Sequence, residues 1–253
     1  MMEVFPSAVR KKQTHRIEDT FSVQCFLGTP CSNDLRLKIS ADLAVGMPSF
    51  RVESYFLQKA SLFENDAITI VIHDKAADTV VGVIIAAYLD NPERETLNIR
   101  TILIVEEWHR RNVINLLWRN LFKTILCNGR SFPKCIVFKT YSPKSFQAMA
   151  VFSRIPGVEM YPSLEKANTA KTIEHIRKIA EILSPEHRLV ELTGVLKGAS
   201  DGVNDFYSDL PLSGRSSIDD HFKQNLTQSD RLLCCLFVDT QSAANRILRA
   251  FGS

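Results

Sequence analysis

The chain has 253 residues, of which 45% are hydrophobic and 23% charged, an ordinary balance for a globular protein with one generous core or two small ones. Lys and Arg number 31 against 28 Asp and Glu, and a net charge of +3 gives no warrant for nucleic-acid binding. Six cysteines lack CxxC spacing, which excludes a zinc site or disulfide framework and fits reduced thiols in a cytoplasmic protein. No run approaches the ~18 continuous apolar residues of a membrane span. Residues 1–20 read as a flexible basic leader carrying Arg10, Lys11, Lys12, His15 and Arg16, without the pattern of a secretory signal.

"FSVQCFLG" (21–28) reads as a first strand, stopped by Gly28 and Pro30. Ser32 or Asn33 then caps a helix carrying Leu35, Leu37, Ile39 and Leu43. A second helix is expected over 49–63, with Val52 and Phe56 on its apolar side. The β-branched runs 67–72 and 79–88 flank the polar turn "HDKAAD" and form a hairpin. A further strand spans 96–105. The stripe Val113, Leu116, Leu117, Leu121 and Ile125 follows it as an amphipathic helix. Another strand covers 134–141, and a helix over 142–155 has Ser142 as cap and Pro143 in its first position.

Beyond Pro162 the pattern predicts a helix over 164–183, a strand over 188–196, and a polar loop over 197–216. A short helix capped at Ser217 comes next, then the apolar strand "DRLLCCLFVDT" and a closing helix. The fold class is therefore α/β (α+β), a mixed and mostly antiparallel central sheet with flanking helices. The last strand is apolar on both faces, so 163–253 is expected to complete the sheet begun by 21–162, within one domain.

The order of elements over 21–162 resembles the GNAT acyltransferase family. In that family a strand ending in an apolar-x-Val pattern leads to a loop, Arg/Gln-x-x-Gly-x-Gly/Ala. The loop opens a helix whose first amides hold the pyrophosphate of acetyl-CoA. Here "LIV" (Leu103, Ile104, Val105) stands at the strand end and "RRNVIN" (Arg110, Arg111, Asn112, Val113, Ile114, Asn115) at the loop. The physical basis is general, since free N–H groups and the axial dipole at a helix start attract phosphate. Arg110 and Arg111 would add charge-assisted contacts. Val113 and Asn115 replace the small residues of the pattern, and their side chains are expected to crowd the phosphate and reshape its cradle.

The family's Asn-x-x-Ala-x-x-x-Tyr pattern is echoed by "SFQAMAVF", with Ser145, Ala148 and Phe152. Phenylalanine donates no proton, so Tyr141 or Tyr161 is expected to supply the acid toward the departing thiolate. Glu106, Glu107 and His109 follow the strand before the loop and are candidate bases for the acceptor ammonium. Trp108 either walls the cleft or caps the core.

The resemblance implies acetyl-CoA or another acyl-CoA as donor, no metal, and a small-molecule or peptide amine as acceptor. It also leaves room for a homodimer and points to no membrane partner. Two alternatives stand beside it. The same chemistry can draw on a phosphopantetheinyl acyl carrier protein, or on an aminoacyl-tRNA, in biosynthesis. The fold can also persist as a binding module without turnover, with Phe152 and its neighbours filling the cleft.

Overall fold

In the computed structural model, residues 20–28, 31–64, 66–91, 95–109 and 112–251 are described; the basic leader, Arg110 and Arg111 lie outside them. β1 (Phe21–Leu27) is followed by α1 (Asn33–Gly46), which Ser32 caps by accepting from Leu35 N at 3.2 Å. α2 (Val52–Gln58) is shorter than the predicted 49–63, since a 3₁₀ turn over Ala60–Phe63 replaces its last residues. β2 (Ile68–Asp74) and β3 (Thr79–Leu89) form the hairpin, and Asp74 Oδ1 accepts from Ala76 N within its turn. β4 (Thr96–Ile104) leads into α3 (Val113–Cys127), which ends before Gly129 at φ +74°.

β5 (Cys135–Thr140) and α4 (Pro143–Ala150) follow, with Ser142 Oγ accepting from Ser145 N as expected of a cap. α4 stops at Ala150, not 155, and passes into a 3₁₀ turn. A short strand, β6 (Val158–Tyr161), follows, in a stretch to which the sequence pattern assigns no element. α5 (Ala170–Leu183) starts later than the predicted 164. Asn168 is tied back to Met160 O and Ser163 N, so Thr169 becomes the cap. The predicted strand 188–196 is two short strands, β7 (Leu189–Val190) and β8 (Val195–Leu196), folded about Gly194 at φ +76°. α6 (Ser216–Asn225) is not capped by Ser217. The Asp219 carboxylate instead accepts the amides of Ser213 and Gly214 before the helix. β9 (Arg231–Val238) and α7 (Gln241–Ala250) close the fold.

Among the described residues the sheet has nine strands, eight in the order β1-β2-β3-β4-β5-β9-β8-β7 and the ninth, β6, paired with β9 off that path. β4 and β5 are parallel, and the other pairings are antiparallel. β9 lies inside the sheet. β5 takes one of its edges, while β6 and β8 share the other end to end. Its residues Leu232–Val238 are all buried, as an apolar strand covered on both faces must be.

One face of the sheet carries a continuous core, where Ile70, Ile72 and Ile84 meet Val113, Leu117 and Trp118 of α3, joined by α4, α6 and α7. The core of the other face is divided. Val71, Val83 and Ile85 pack under α1 and α2, whereas Val137, Leu233 and Cys235 pack under α5. The division falls where β4 and β5 part.

Candidate functional site

β4 and β5 pair only from Thr96–Cys135 to Ile99–Phe138. At that point the β3–β4 register slips: Ala86 faces Ile99 and Ile85 faces Thr101, leaving Arg100 as an extra residue. A bulge of this kind bends and twists its strand, so β4 turns away from β5. β5 stays with β9 through Lys139 and Thr140. From Arg100 to Ile104 the edge of β4 on the β5 side pairs with no strand among the described residues. A cleft of about 280 Å³ lies at the start of this split, on the face of α1 and α2, with Asn98, Ile99 and Arg100 as its β4 wall. Tyr55, Lys59, Arg100, Lys139, Asp201 and Arg231 are among its walls.

The opposite face holds the start of α3. Leu103 faces the α1–α2 core, Ile104 packs on the α3 side, and Val105 N donates to Val81 O at 3.0 Å. Asn112 is the first flanking residue of α3, in the left-handed region at φ +60°, and its side chain caps no amide. Its Oδ1 instead accepts from Asn115 Nδ2 at 3.3 Å. The expected crowding by Val113 is corrected. Its side chain is fully buried and points at the sheet, where Gly82 of β3 makes room for it. A Cβ at Gly82 would lie 2.9 Å from Val113 Cγ1. The small residue that permits the close approach is thus on the strand beneath the helix, not in the loop. Ile114 and Asn115 are half-buried in the first turn, and Ser145 is half-buried in the first turn of α4, on the same face.

The candidate bases stand at the C-terminal end of β4. Glu106 Oε1 accepts from Ser49 Oγ at 2.6 Å, which ties it to the α1–α2 connection. Ser49 O in turn accepts from Ser208 N, and the Phe50 ring packs at a tilt against Tyr207, 4.8 Å between centroids. The Tyr207 ring lies 6.0 Å from Tyr141, whose hydroxyl donates to Gln228 Oε1 at 3.0 Å. Glu106 and Tyr141, on opposite sides of the split, are therefore joined by a continuous train of contacts. Burial raises the Tyr141 hydroxyl above its ordinary value, so it holds its proton at neutral pH. His109 Nε2 lies 2.8 Å from Ile104 O. A carbonyl only accepts, so Nε2 carries the proton and Nδ1 is left as the basic nitrogen. Glu107 is exposed.

Trp108 is half-buried and packs against both cores, edge-on to Phe21 at 5.1 Å, and is absent from the cleft walls. Phe152 does not fill the cleft either. It is buried against Trp118 and Phe251 in the α3-side core. Tyr161 is also remote, fully buried with its hydroxyl on Glu191 O at 2.8 Å.

Sequence reading missed Lys139 and Arg231 in the walls of the cleft. Arg231 Nη2 donates to Lys139 O at 2.5 Å, and Lys139 Nζ donates to Ser184 Oγ at 3.0 Å. Burial lowers the proton affinity of both cations, and their mutual repulsion adds to this for Lys139. Burial pushes the Tyr207 hydroxyl up to about 12 against the attraction of Arg231, and raises Tyr55 as well. The available signal was a cation inside each of two otherwise apolar strands, "CIVFKT" and "RLLCCLFV". Among the described residues no three His, Cys, Asp or Glu side chains converge as a metal-ligand set, and no helix is long and apolar enough to cross a membrane.

No family model and no curated protein matches the chain. Among solved structures, it is similar to an acetyltransferase of the GNAT family from Staphylococcus aureus Mu50, at 11% identity over 57% of this chain and 89% of that one, with a TM-score of 0.38. It is similar to the aminoglycoside acetyltransferase HMB0005 from an uncultured soil metagenomic sample, at 18% identity over 59% of this chain and 99% of that one, with a TM-score of 0.41. It is also similar to the aminoglycoside N-acetyltransferase AAC(6')-Iy in complex with CoA, at 9% identity over 53% and 84%, with a TM-score of 0.37.

Proposed function

We propose that the protein is an N-acyltransferase of the GNAT type, moving an acyl group from a pantetheine thioester, as in acetyl-CoA, to an amine of a small molecule or peptide. The observation that carries this reading is the parting of β4 from β5 at the Arg100 bulge. It leaves backbone donors and acceptors along Arg100–Leu103, to which the amides of a pantetheine arm can pair as an added strand, while Ile104 O already accepts from His109 Nε2. The start of α3, with no side-chain cap, lies on one face for the donor's phosphates, and the cleft lies on the other for the acceptor. Arg110 and Arg111 belong to the same bend in sequence.

The acceptor amine attacks the thioester carbonyl directly: the C–N bond forms and the C–S bond breaks. Glu106, or His109 through Nδ1, takes the ammonium proton, directly or through water. Tyr141, which keeps its proton at neutral pH, returns one to the departing thiolate. Neither the protein nor its side chains become acylated.

The test is thermal unfolding of the full chain with acetyl-CoA, CoA and phosphopantetheine in parallel. A donor at one hundred times its dissociation constant is expected to add about 2.7 kcal/mol of stability. Arg110→Ala is expected to remove the CoA shift and to spare that of phosphopantetheine. A shift with phosphopantetheine alone identifies a carrier-protein donor. No shift with any pantetheine compound sinks the reading.

A further inference from the structure

We propose that the cleft between β4 and β5 recognises an anion, so that the acceptor, on the acyltransferase reading above, is a small amine bearing a carboxylate or a phosphate. The cleft walls contain four cationic side chains, Lys59, Arg100, Lys139 and Arg231, against two carboxylates, Glu64 and Asp201. Arg100 is already committed, with Nη2 on Asp66 Oδ2 at 2.7 Å and Nη1 on the carbonyls of Ser61 and Leu62.

Among the described residues the other three cations hydrogen-bond only to neutral oxygens, Lys59 to the carbonyl of Asp201 at 3.3 Å, Lys139 to the Ser184 hydroxyl and Arg231 to the carbonyl of Lys139, while the Asp201 carboxylate attracts Lys139 and Arg231 without bonding to either. Among the described residues, none of these three forms an ion pair. Arg231 Nε is buried and has no hydrogen-bond partner among the described residues. Burying a guanidinium nitrogen without an acceptor is costly, and two half-buried cations side by side add repulsion. An anion between Lys139 and Arg231 removes both penalties. It gives Nε an acceptor and forms charge-assisted bonds of the kind a guanidinium fork makes with carboxylate or phosphate.

The donor's phosphates are not this anion. The start of α3 lies on the opposite face of the sheet, behind the α3-side core. The size of the cleft suits a compact acceptor. Its charge repels a polycationic one.

Inorganic phosphate and sodium acetate, titrated at constant ionic strength against chloride, probe the cleft without turnover, with thermal unfolding as the readout. Wild-type protein is expected to gain stability with one of the two beyond the chloride control, phosphate marking a phosphate-bearing acceptor and acetate a carboxylate-bearing one. Arg231→Gln and Lys139→Met are each expected to weaken the effective anion by about ten- to a hundredfold. Lys139→Arg, which keeps the charge, retains it. The CoA-dependent shift is expected to persist in all three variants.

An anion effect no larger than that of chloride overturns the proposal, as does one that survives in both charge-removing variants. Loss of the CoA shift alone, with the anion effect intact, refutes the acyltransferase reading and leaves the anion site standing.

Discussion

Gly82 and Val113 meet where a helix start must approach a sheet closely. Valine is β-branched and stiff, so a methyl group at position 82 has no flexible neighbour to displace. Gly82→Ala is expected to cost roughly 1–3 kcal/mol in denaturant unfolding. The double variant Gly82→Ala/Val113→Ala is expected to recover part of that loss. Additive costs in the two single variants would show that the pair is not in contact. None of this was legible in the sequence. "RRNVIN" shows a valine where the resemblance calls for a small residue, but which way its side chain turns depends on a glycine 31 positions earlier on another strand. Glu106 and His109 were identifiable as polar residues after a strand, whereas Arg231 and Lys139 were hidden by the apolar strands that carry them.

Regular elements were the more readable level wherever the apolar pattern was long. The β2–β3 hairpin, β4, α3, β5 and β9 fall where period and turn chemistry place them. Short elements were missed for physical reasons. β6 has four residues behind a Pro-Gly turn, and the register of β9 alone makes it a strand. β7 and β8 read as one run because Gly194, which folds the chain back, interrupts it only briefly.

The entry to β9 carries its own prediction. Burial opposes ionisation of Asp230. Hydrogen bonds from Lys197 Nζ, the Thr227 and Gly198 amides and the Thr227 hydroxyl outweigh it, and hold the carboxyl at about 2. A carboxyl depressed in the folded state contributes stability above its unfolded value near 4, and that contribution fades as the pH falls toward 2. The shift corresponds to about 2 kcal/mol. In urea unfolding, Asp230→Asn is expected to be less stable than wild type at pH 6, with the difference narrowing markedly at pH 3. An equal difference at both values would refute the assignment.

Fold class was accessible from sequence because the order of strands and helices constrains topology strongly. The cleft was not, because its walls come from α2 with the turn after it, β4, β5, the loop after β8 and the start of β9. The interior position of β9 also bears on how much of the chain is needed. A fragment ending at residue 162 retains β1 to β6 yet leaves the β9-facing edge of β5 and half of the divided core uncovered. We expect this fragment to lack a cooperative unfolding transition by circular dichroism, while full-length protein shows one. A sharp transition in the fragment would make 163–253 an accessory to an independently stable unit.

The same strand order sets a timetable for the nascent chain. About 90 residues separate β5 from β9, and a ribosome adding roughly 5–20 residues per second takes about 5–20 s to cover them. Throughout that interval β5 has parted from β4 beyond Ile99 and has no partner on its other side, an open edge of the kind that recruits foreign strands. The yield of soluble protein is therefore expected to depend on protection of this edge during synthesis, by a chaperone or by slow growth in the cold, more than on the stability of the finished fold.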